Sequence, residues 1–307
     1  MKFSSFFKIV NIKPTKPILV FLLVIAIIII GFSAILIKLS LAPGNVTAFY
    51  RLFTGSVIVF IPFLFNIRKP ESRPSRKAVW ISIAGGVIFG IDMVLWTTGV
   101  DLGGATMPTL VANTAPVWVG VGAMIFFKEK LRTGFWLGLA VALAGVFLVM
   151  SDASGKSVSF NTGTILGLLA AVFYGSFFLI SQQARKYTGT LQYFWISSFS
   201  ASMVNLLFIF ILGQPLFDYP FVSWVYFFIM GFVGQVVGWL ILNYLQGKLP
   251  ASLIAPTLLV QPVMTALLAY MLLGDTFSAI DIAGGLIVIA GVFIVHKTRK
   301  SNSSDSN

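Results

Sequence analysis

Ten stretches of this chain are predominantly apolar for about twenty residues at a time, which restricts both its solvent and its fold. The first contains ILVFLLVIAIIII, with no polar position at any period. A bilayer core of about 30 Å is crossed by roughly 17 to 25 apolar residues in a helix. Read between charged, Gly, Pro or Asn breaks, the stretches lie at 18–38, 47–67, 78–100, 105–127, 133–150, 162–182, 191–212, 221–245, 251–273 and 279–296. A transmembrane β-barrel would show alternation in segments of about ten residues, so the expectation is an all-α integral membrane protein of ten spans. With 58% hydrophobic and 10% charged residues among 307, a soluble domain is excluded. The first stretch lacks a small-x-small cleavage pattern after it and is read as a retained helix rather than a signal peptide.

A net charge of +12 raises the possibility of a nucleic-acid partner, and the placement of the 21 basic residues removes it. With the N-terminus inside, 18 fall on one side: Lys2, Lys8, Lys13, Lys16, Arg68, Lys69, Arg73, Arg76, Lys77, Lys128, Lys130, Arg132, Arg185, Lys186, Lys248, Lys297, Arg299 and Lys300. Lys156 falls opposite, and Lys38 and Arg51 sit in or at the edge of spans. This asymmetry orients a membrane protein with its basic loops in the cytoplasm. Both termini are therefore expected on the cytoplasmic side of a plasma or inner membrane, with 1–17 as a leading segment and the polar 297–307 as a disordered tail. Loss of one span would reverse the side of every later loop, so the charge pattern also supports the count of ten.

The chain repeats itself. LAGVFLVM closes one span and IAGVFIVH another, and sliding the chain by 146 positions aligns 105–149 with 251–295 without a gap. Ten of the 45 pairs are identical, including Pro116 with Pro262, Gly138 with Gly284 and Gly145 with Gly291, while Glu129 meets Asp275. Upstream, at an offset of 143 or 144, Trp96 meets Trp239, Asp92 meets Gln235 and Gly31 meets Gly175. The chain thus reads as two five-helix units, 18–150 and 162–296, joined by an external linker at 151–161. Five is odd, so the second unit is expected to enter the membrane from the opposite face. FKEKLRTG is basic while its counterpart LGDTFSAI carries no basic residue, as inversion requires. Inverted repeats related by an axis in the membrane plane are a recurring architecture of secondary transporters, and exchange of conformation between the copies supplies alternating access.

These features resemble the drug/metabolite transporter superfamily, in particular its EamA branch. The resemblance rests on the two-times-five order, Gly31-x6-Lys38 ending the first span, FYR with Arg51 early in the second and the prolines of APV and QPV. It rests also on KEKL after the fourth span and on the closing AGVFLV and AGVFIV phrases. YGSFFLISQQ resembles the opening of the first unit with Gln182 in place of Lys38. The resemblance covers 18–296 and implies a ten-helix carrier with cytoplasmic termini, of a kind that often exports amino acids or related metabolites.

Charges within a span are costly and tend to face a polar cavity. Asp92 lies well inside the third span in GIDMVLW, with Trp96 four residues on; Gln235 and Trp239 repeat that spacing in the eighth. A spacing of four puts polar group and indole on one helix face. Carboxylate or amide beside an indole suits a small amphipathic or cationic ligand. The alternative is that Asp92 pairs with Arg51 or Lys38 and locks helices together, with the tryptophans at the lipid interface. Arg51 is also a candidate clamp for a substrate carboxylate, and Lys38 is close enough to a helix end to snorkel. Each of the fourth and ninth spans holds two prolines, Pro108 and Pro116, Pro256 and Pro262, and a proline in mid-helix frees a backbone carbonyl. Asn113 and Gln261 stand near the breaks expected at Pro116 and Pro262, either lining a pathway or bonding a neighbouring helix. Tyr174 and Tyr193 are further pocket candidates, and the glycines are read mainly as packing sites.

With no cysteine, one histidine (His296, at a span end) and one acid in mid-span, the chain offers no convergent catalytic or metal-binding set. The expectation is therefore a carrier and not an enzyme, without metal or cofactor, whose partners are a small-molecule substrate and the bilayer, with the oligomeric state left open and a monomer among the options. No P-loop occurs, so the energy would come from a solute or ion gradient.

Overall fold

The structure is a computed structural model, and it describes residues 15–104, 106–152, 161–275 and 278–304. Ten helices in it are long and apolar enough to cross a membrane. We label them α1 (Lys16–Leu39), α2 (Gly44–Ile67), α3 (Arg76–Gly103), α4 (Thr106–Phe127), α5 (Thr133–Asp152), α6 (Thr162–Ala184), α7 (Thr190–Ile211), α8 (Phe221–Gln246), α9 (Ala251–Leu273) and α10 (Ala279–Ser304). The expected spans are recovered to within a few residues except at the end of the chain. There α10 continues to Ser304, past the span end expected at 296 and into the expected tail at 297–307. Most of the expected linker, residues 153–160, lies outside the described residues, as does part of GDTF.

Glycines lie at many helix contacts, and a number of large apolar side chains point outward. Phe126 is 72% exposed, and Phe65, Phe221 and Phe293 point outward similarly. In water such a surface would be a liability, and against lipid it is the ordinary one. Inside, α5 packs on α10, α3 on α6 and α7, α2 on α7 and α8, α1 on α8 and α9, and α4 on α6 and α9. Exchanging each helix with the one five later returns the same list of neighbours. At the seam of α5 against α10, an added Cβ on Gly138 would come within 2.8 Å of the Gly291 carbonyl and one on Gly145 within 2.6 Å of that of Gly284. The two helices therefore run antiparallel, and the glycines that meet are each the sequence counterpart of the other's partner.

Three helices depart from regular geometry. In α4 the chain turns at Asn113 and Thr114 between a first piece, Thr106–Ala112, and a second, Ala115–Phe127. Pro116 has no N–H to offer the carbonyl of Ala112, and the turn is closed instead by Thr114 N–H to Val111 O (3.0 Å) and Val117 N–H to Thr114 O (2.9 Å). In α9 the same happens at Leu258 and Leu259, between Ala251–Thr257 and Val260–Leu273, four residues before Pro262. Breaks thus occur shortly before Pro116 and Pro262, near the prolines at which they were expected. Sequence gave no warning of the third departure: Met230–Trp239 of α8 is a π-helix. Its three glycines lie against neighbours, Gly231 on Thr54 of α2, Gly234 on Ser33 and Gly238 on Ile29 and Ile30 of α1.

The loops rich in Lys and Arg gather at one end of the bundle, called here the basic end. They are joined there by polar contacts across helices. The Arg185 guanidinium donates to the carbonyls of Asn243 (3.0 Å) and Thr188, and Gln192 donates to Asn66 Oδ1 (2.9 Å) and to the Ser72 carbonyl. Glu129 accepts from Arg299 (2.7 Å) at the end of α10 and from Ser252 at the start of α9. Gln182 accepts from the backbone N–H of Ala251 (2.6 Å), so the start of α9 is tied to α6 as well as to the α4–α5 turn.

Candidate functional site

Two opposite charges are buried in the middle of the first repeat. Arg51 is 7% exposed and Asp92 3%, on the facing helices α2 and α3. They lie within electrostatic reach of each other and of Tyr174 on α6, but among the described residues no N–O contact within 4 Å joins the pair. Arg51 instead spends one Nη2 hydrogen on Met93 Sδ (3.3 Å), a weak acceptor. Arg51 Nε and Asp92 Oδ2 are left without a hydrogen-bond partner, and so is Oε1 of Gln235, which is 1% exposed and donates to Ser198 Oγ (3.0 Å). Buried polar atoms are nearly always satisfied. Arg51, Asp92 and Gln235 are thus each buried with a polar atom unmet.

On the side away from the basic end, a cavity of about 60 Å³ opens between α1, α2 and α3, lined by Thr47, Arg51, Met93, Trp96, Thr97 and Asp101 among others. Arg51 forms part of its wall, and Asp92 does not. The indole N–H of Trp96 donates to Thr109 Oγ1 (3.1 Å), which holds the ring at this mouth. Thr97 donates to Asn45 Oδ1 and fixes α3 to the start of α2.

Toward the basic end from Asp92 lies a floor of aromatic rings. One turn along α3 from Asp92, Phe89 lies 4.7 Å from Trp239 and 4.5 Å from Phe177, with Trp239 and Phe177 5.8 Å apart, all between ring centroids. Tyr174 adds a ring 6.4 Å from Phe89 and 4.9 Å from Phe178. The floor thus draws on α3, α6 and α8. Trp239 is 4% exposed and lies deep in the bundle, so the interfacial alternative for it is set aside.

The remaining candidates separate from this group. Asn113 Nδ2 donates to the Thr109 carbonyl (2.8 Å) of its own helix and approaches Met150 Sδ of α5 at 3.8 Å; no contact joins it to Arg51, Asp92 or Gln235 among the described residues. Gln261 is half-buried at the α9 break, its carbonyl lying under Gly31 of α1. Tyr193 is bonded to Ser181 and packs where a Cβ on Gly85 would stand, which makes it a packing residue. His296 meets Thr257 Oγ1 at 2.8 Å, a link between α9 and α10. The side chain of Lys38 lies outside the described residues. Phe89, Phe177 and Ser198 were not anticipated. Phe89, three residues before Asp92 and immediately ahead of GIDMVLW, was within reach of the spacing argument that singled out Trp96.

A bundle of ten membrane-length helices in two sequence repeats, with a polar centre between them, defines a multi-pass transport protein. The comparisons agree. The chain matches the EamA-like transporter family twice, over residues 17–151 and 161–296, and it belongs to that family. It is similar to an uncharacterized transporter, YdfC, of Bacillus subtilis (23% identity over 257 residues, 83% of each chain). It is similar also to an S-adenosylmethionine uptake transporter of Rickettsia bellii (23% over 259 residues, 83% of this chain and 85% of the relative). A solved crystal structure superposes with a TM-score of 0.78 at 14% identity, covering 92% of this chain and 98% of that one, which establishes the shared fold.

Proposed function

We propose that this protein is a secondary-active carrier for a small zwitterionic metabolite with an amino-acid head, working by alternating access across the plasma membrane with its basic end in the cytoplasm. The carrying observation is the buried Arg51–Asp92 pair, opposite in sign, not directly bonded, with polar atoms still unmet. A guanidinium receives a carboxylate and a carboxylate receives an ammonium, while Trp96, Tyr174 and the Phe89–Trp239 floor supply apolar and cation-π contact for the rest of the solute. The antiparallel glycine seam of α5 and α10, together with the exchange symmetry of the helix contacts, supports the reading of the repeats as inverted copies. Openness beside Arg51 and closure at the aromatic floor and basic end correspond to an outward-facing arrangement.

S-adenosylmethionine, named for the Rickettsia relatives, combines an amino-acid head, a cationic sulfonium and an aromatic base, and is one member of the proposed class. Sequence reading favours export and those relatives favour uptake; in a carrier the gradient sets the direction. The test is counterflow in proteoliposomes with labelled amino acids, amines and S-adenosylmethionine. Saturable, trans-stimulated exchange of a zwitterion is expected. Exchange of simple amines alone would refute the role of Arg51, and flux without trans-stimulation would refute the carrier.

A further inference from the structure

A second polar hollow, of about 210 Å³, lies at the basic end, away from the Arg51–Asp92 pair. It is formed where the end of α6 meets the turn between α8 and α9, and Gln182, Arg185, Lys186, Gln246 and Lys248 line it. No acid contributes to its wall. The preference for basic residues on one side of a membrane accounts for the sign of this charge. It accounts neither for a concave site nor for what stands at its back: Gln246 is 2% exposed, and both its Oε1 and its Nε2 lack any hydrogen-bond partner.

A buried primary amide with all its donors and acceptors unused is costly unless something fills the space before it. Arg185 cannot turn to do so. Its Nε and Nη atoms are held by Asn243 O, Thr188 O and Thr190 Oγ1, which occupy three of its five N–H bonds and fix the guanidinium at the rim. Burial lowers its pKa to about 10, so it remains charged at neutral pH. Lys186 is steadied 5.0 Å over the ring of Phe127, and Lys248 is exposed on the turn. The hollow therefore sets three cations around an amide that can both give and receive a hydrogen bond.

We propose that this hollow is a binding site for a phosphate-bearing anion. A phosphate offers several acceptor oxygens to the three cations and to the Gln246 NH2, and a hydroxyl on or next to the phosphorus gives Gln246 Oε1 its missing donor. Two sources share this chemistry: the head group of an anionic phospholipid in the adjacent leaflet, and a phosphorylated solute. Occupancy ties α6 to the α8–α9 turn, at the end where α9 is also held by Gln182 and Glu129.

The test uses the full-length protein in nanodiscs, with melting temperature as the readout and no dependence on transport. Inorganic phosphate is titrated into phosphatidylcholine discs against chloride at equal ionic strength, and the protein is compared in discs containing phosphatidylglycerol. A rise in melting temperature in either arm supports the site, the lipid arm alone assigning it to a head group and the phosphate arm alone to a solute. In the double variant Lys186→Gln/Lys248→Gln the effect weakens by about ten-fold in half-saturating concentration, or is lost. Gln246→Leu weakens it too without altering net charge. The control Lys69→Gln/Arg76→Gln, on the same end but outside the hollow, retains it. No rise in either arm, an undiminished rise in the double variant, or an equal loss in the control overturns the proposal.

Discussion

The helices α3 and α8 hold equivalent places in the two repeats and carry the same spaced pair, a polar residue and a tryptophan four positions on, yet they differ in form. Asp92 and Trp96 ride a regular α-helix; Gln235 and Trp239 ride a π-helix. Four residues overshoot one turn of the first and fall short of one turn of the second. α3 runs away from the basic end and α8 toward it, so Trp96 stands at the open mouth, bonded to Thr109, and Trp239 lies under Phe89 and Phe177 in the floor. One sequence pattern thus occupies two geometries in one molecule, which is what the proposed exchange between outward- and inward-facing states asks of a duplicated unit. The charges differ as well. Repeat one keeps a carboxylate without a partner for Oδ2, while repeat two has an amide already bonded to Ser198.

The sharpest way to break this comparison is to remove the charge that distinguishes the two sides. Asp92→Asn is expected to lower counterflow kcat/KM for a zwitterion by about 100-fold, the loss that follows from deleting one member of a buried charged recognition pair. The protein should still elute as a folded species in detergent. A fall of less than about three-fold would place recognition elsewhere. Next in size is the contrast between the indoles. Trp239→Ala empties a buried site and is expected to cost about 3 kcal/mol of stability, where Trp96→Ala, at a half-buried mouth, costs about 1, measured by denaturation in mixed micelles. Equal losses would mean that the two rings are not in different environments.

Glycines give a finer contrast. On α3, a Cβ at Gly86 would come within 2.3 Å of the Ser197 carbonyl, a backbone atom that cannot step aside, and Gly86→Ala should cost about 2 kcal/mol. On the π-helix, a Cβ at Gly234 meets the Ser33 hydroxyl, which can rotate away, so Gly234→Ala should cost under about 1 kcal/mol. The smallest effect is expected at the basic end. The Arg299–Glu129 contact is partly exposed, and Arg299→Gln should alter stability by less than about 1 kcal/mol. Its influence should appear instead as increased labelling of basic-end cysteines introduced into a functional variant.

Much of the fold could be read from sequence because the signals involved are long. Twenty apolar residues in a row, loop charges summed over ten spans and a 45-residue self-match each average over many positions. The in-span charges Arg51 and Asp92 were legible for another reason, since a buried charge costs enough to need a purpose. What escaped was local. Pro116 and Pro262 announced breaks, but the turn that closes each break depends on which carbonyl a nearby N–H reaches. The π-stretch was hidden because apolar residues around a membrane helix erase the periodicity that would reveal a change of pitch. Phe177 was lost among thirty phenylalanines, whereas Phe89 was marked by its spacing from Asp92.

The glycine seam between α5 and α10 constrains the descent of this chain as well as its packing. Gly138 rests on Gly291 and Gly145 on Gly284, so each position has as its neighbour the image of the other, and a methyl group added on one side is met by backbone on the other. Along most of their surfaces the two halves are free to drift apart, as the ten identities in 45 show they have. At this shared axle neither can enlarge unless the other yields, so the ancestral likeness is retained there by contact.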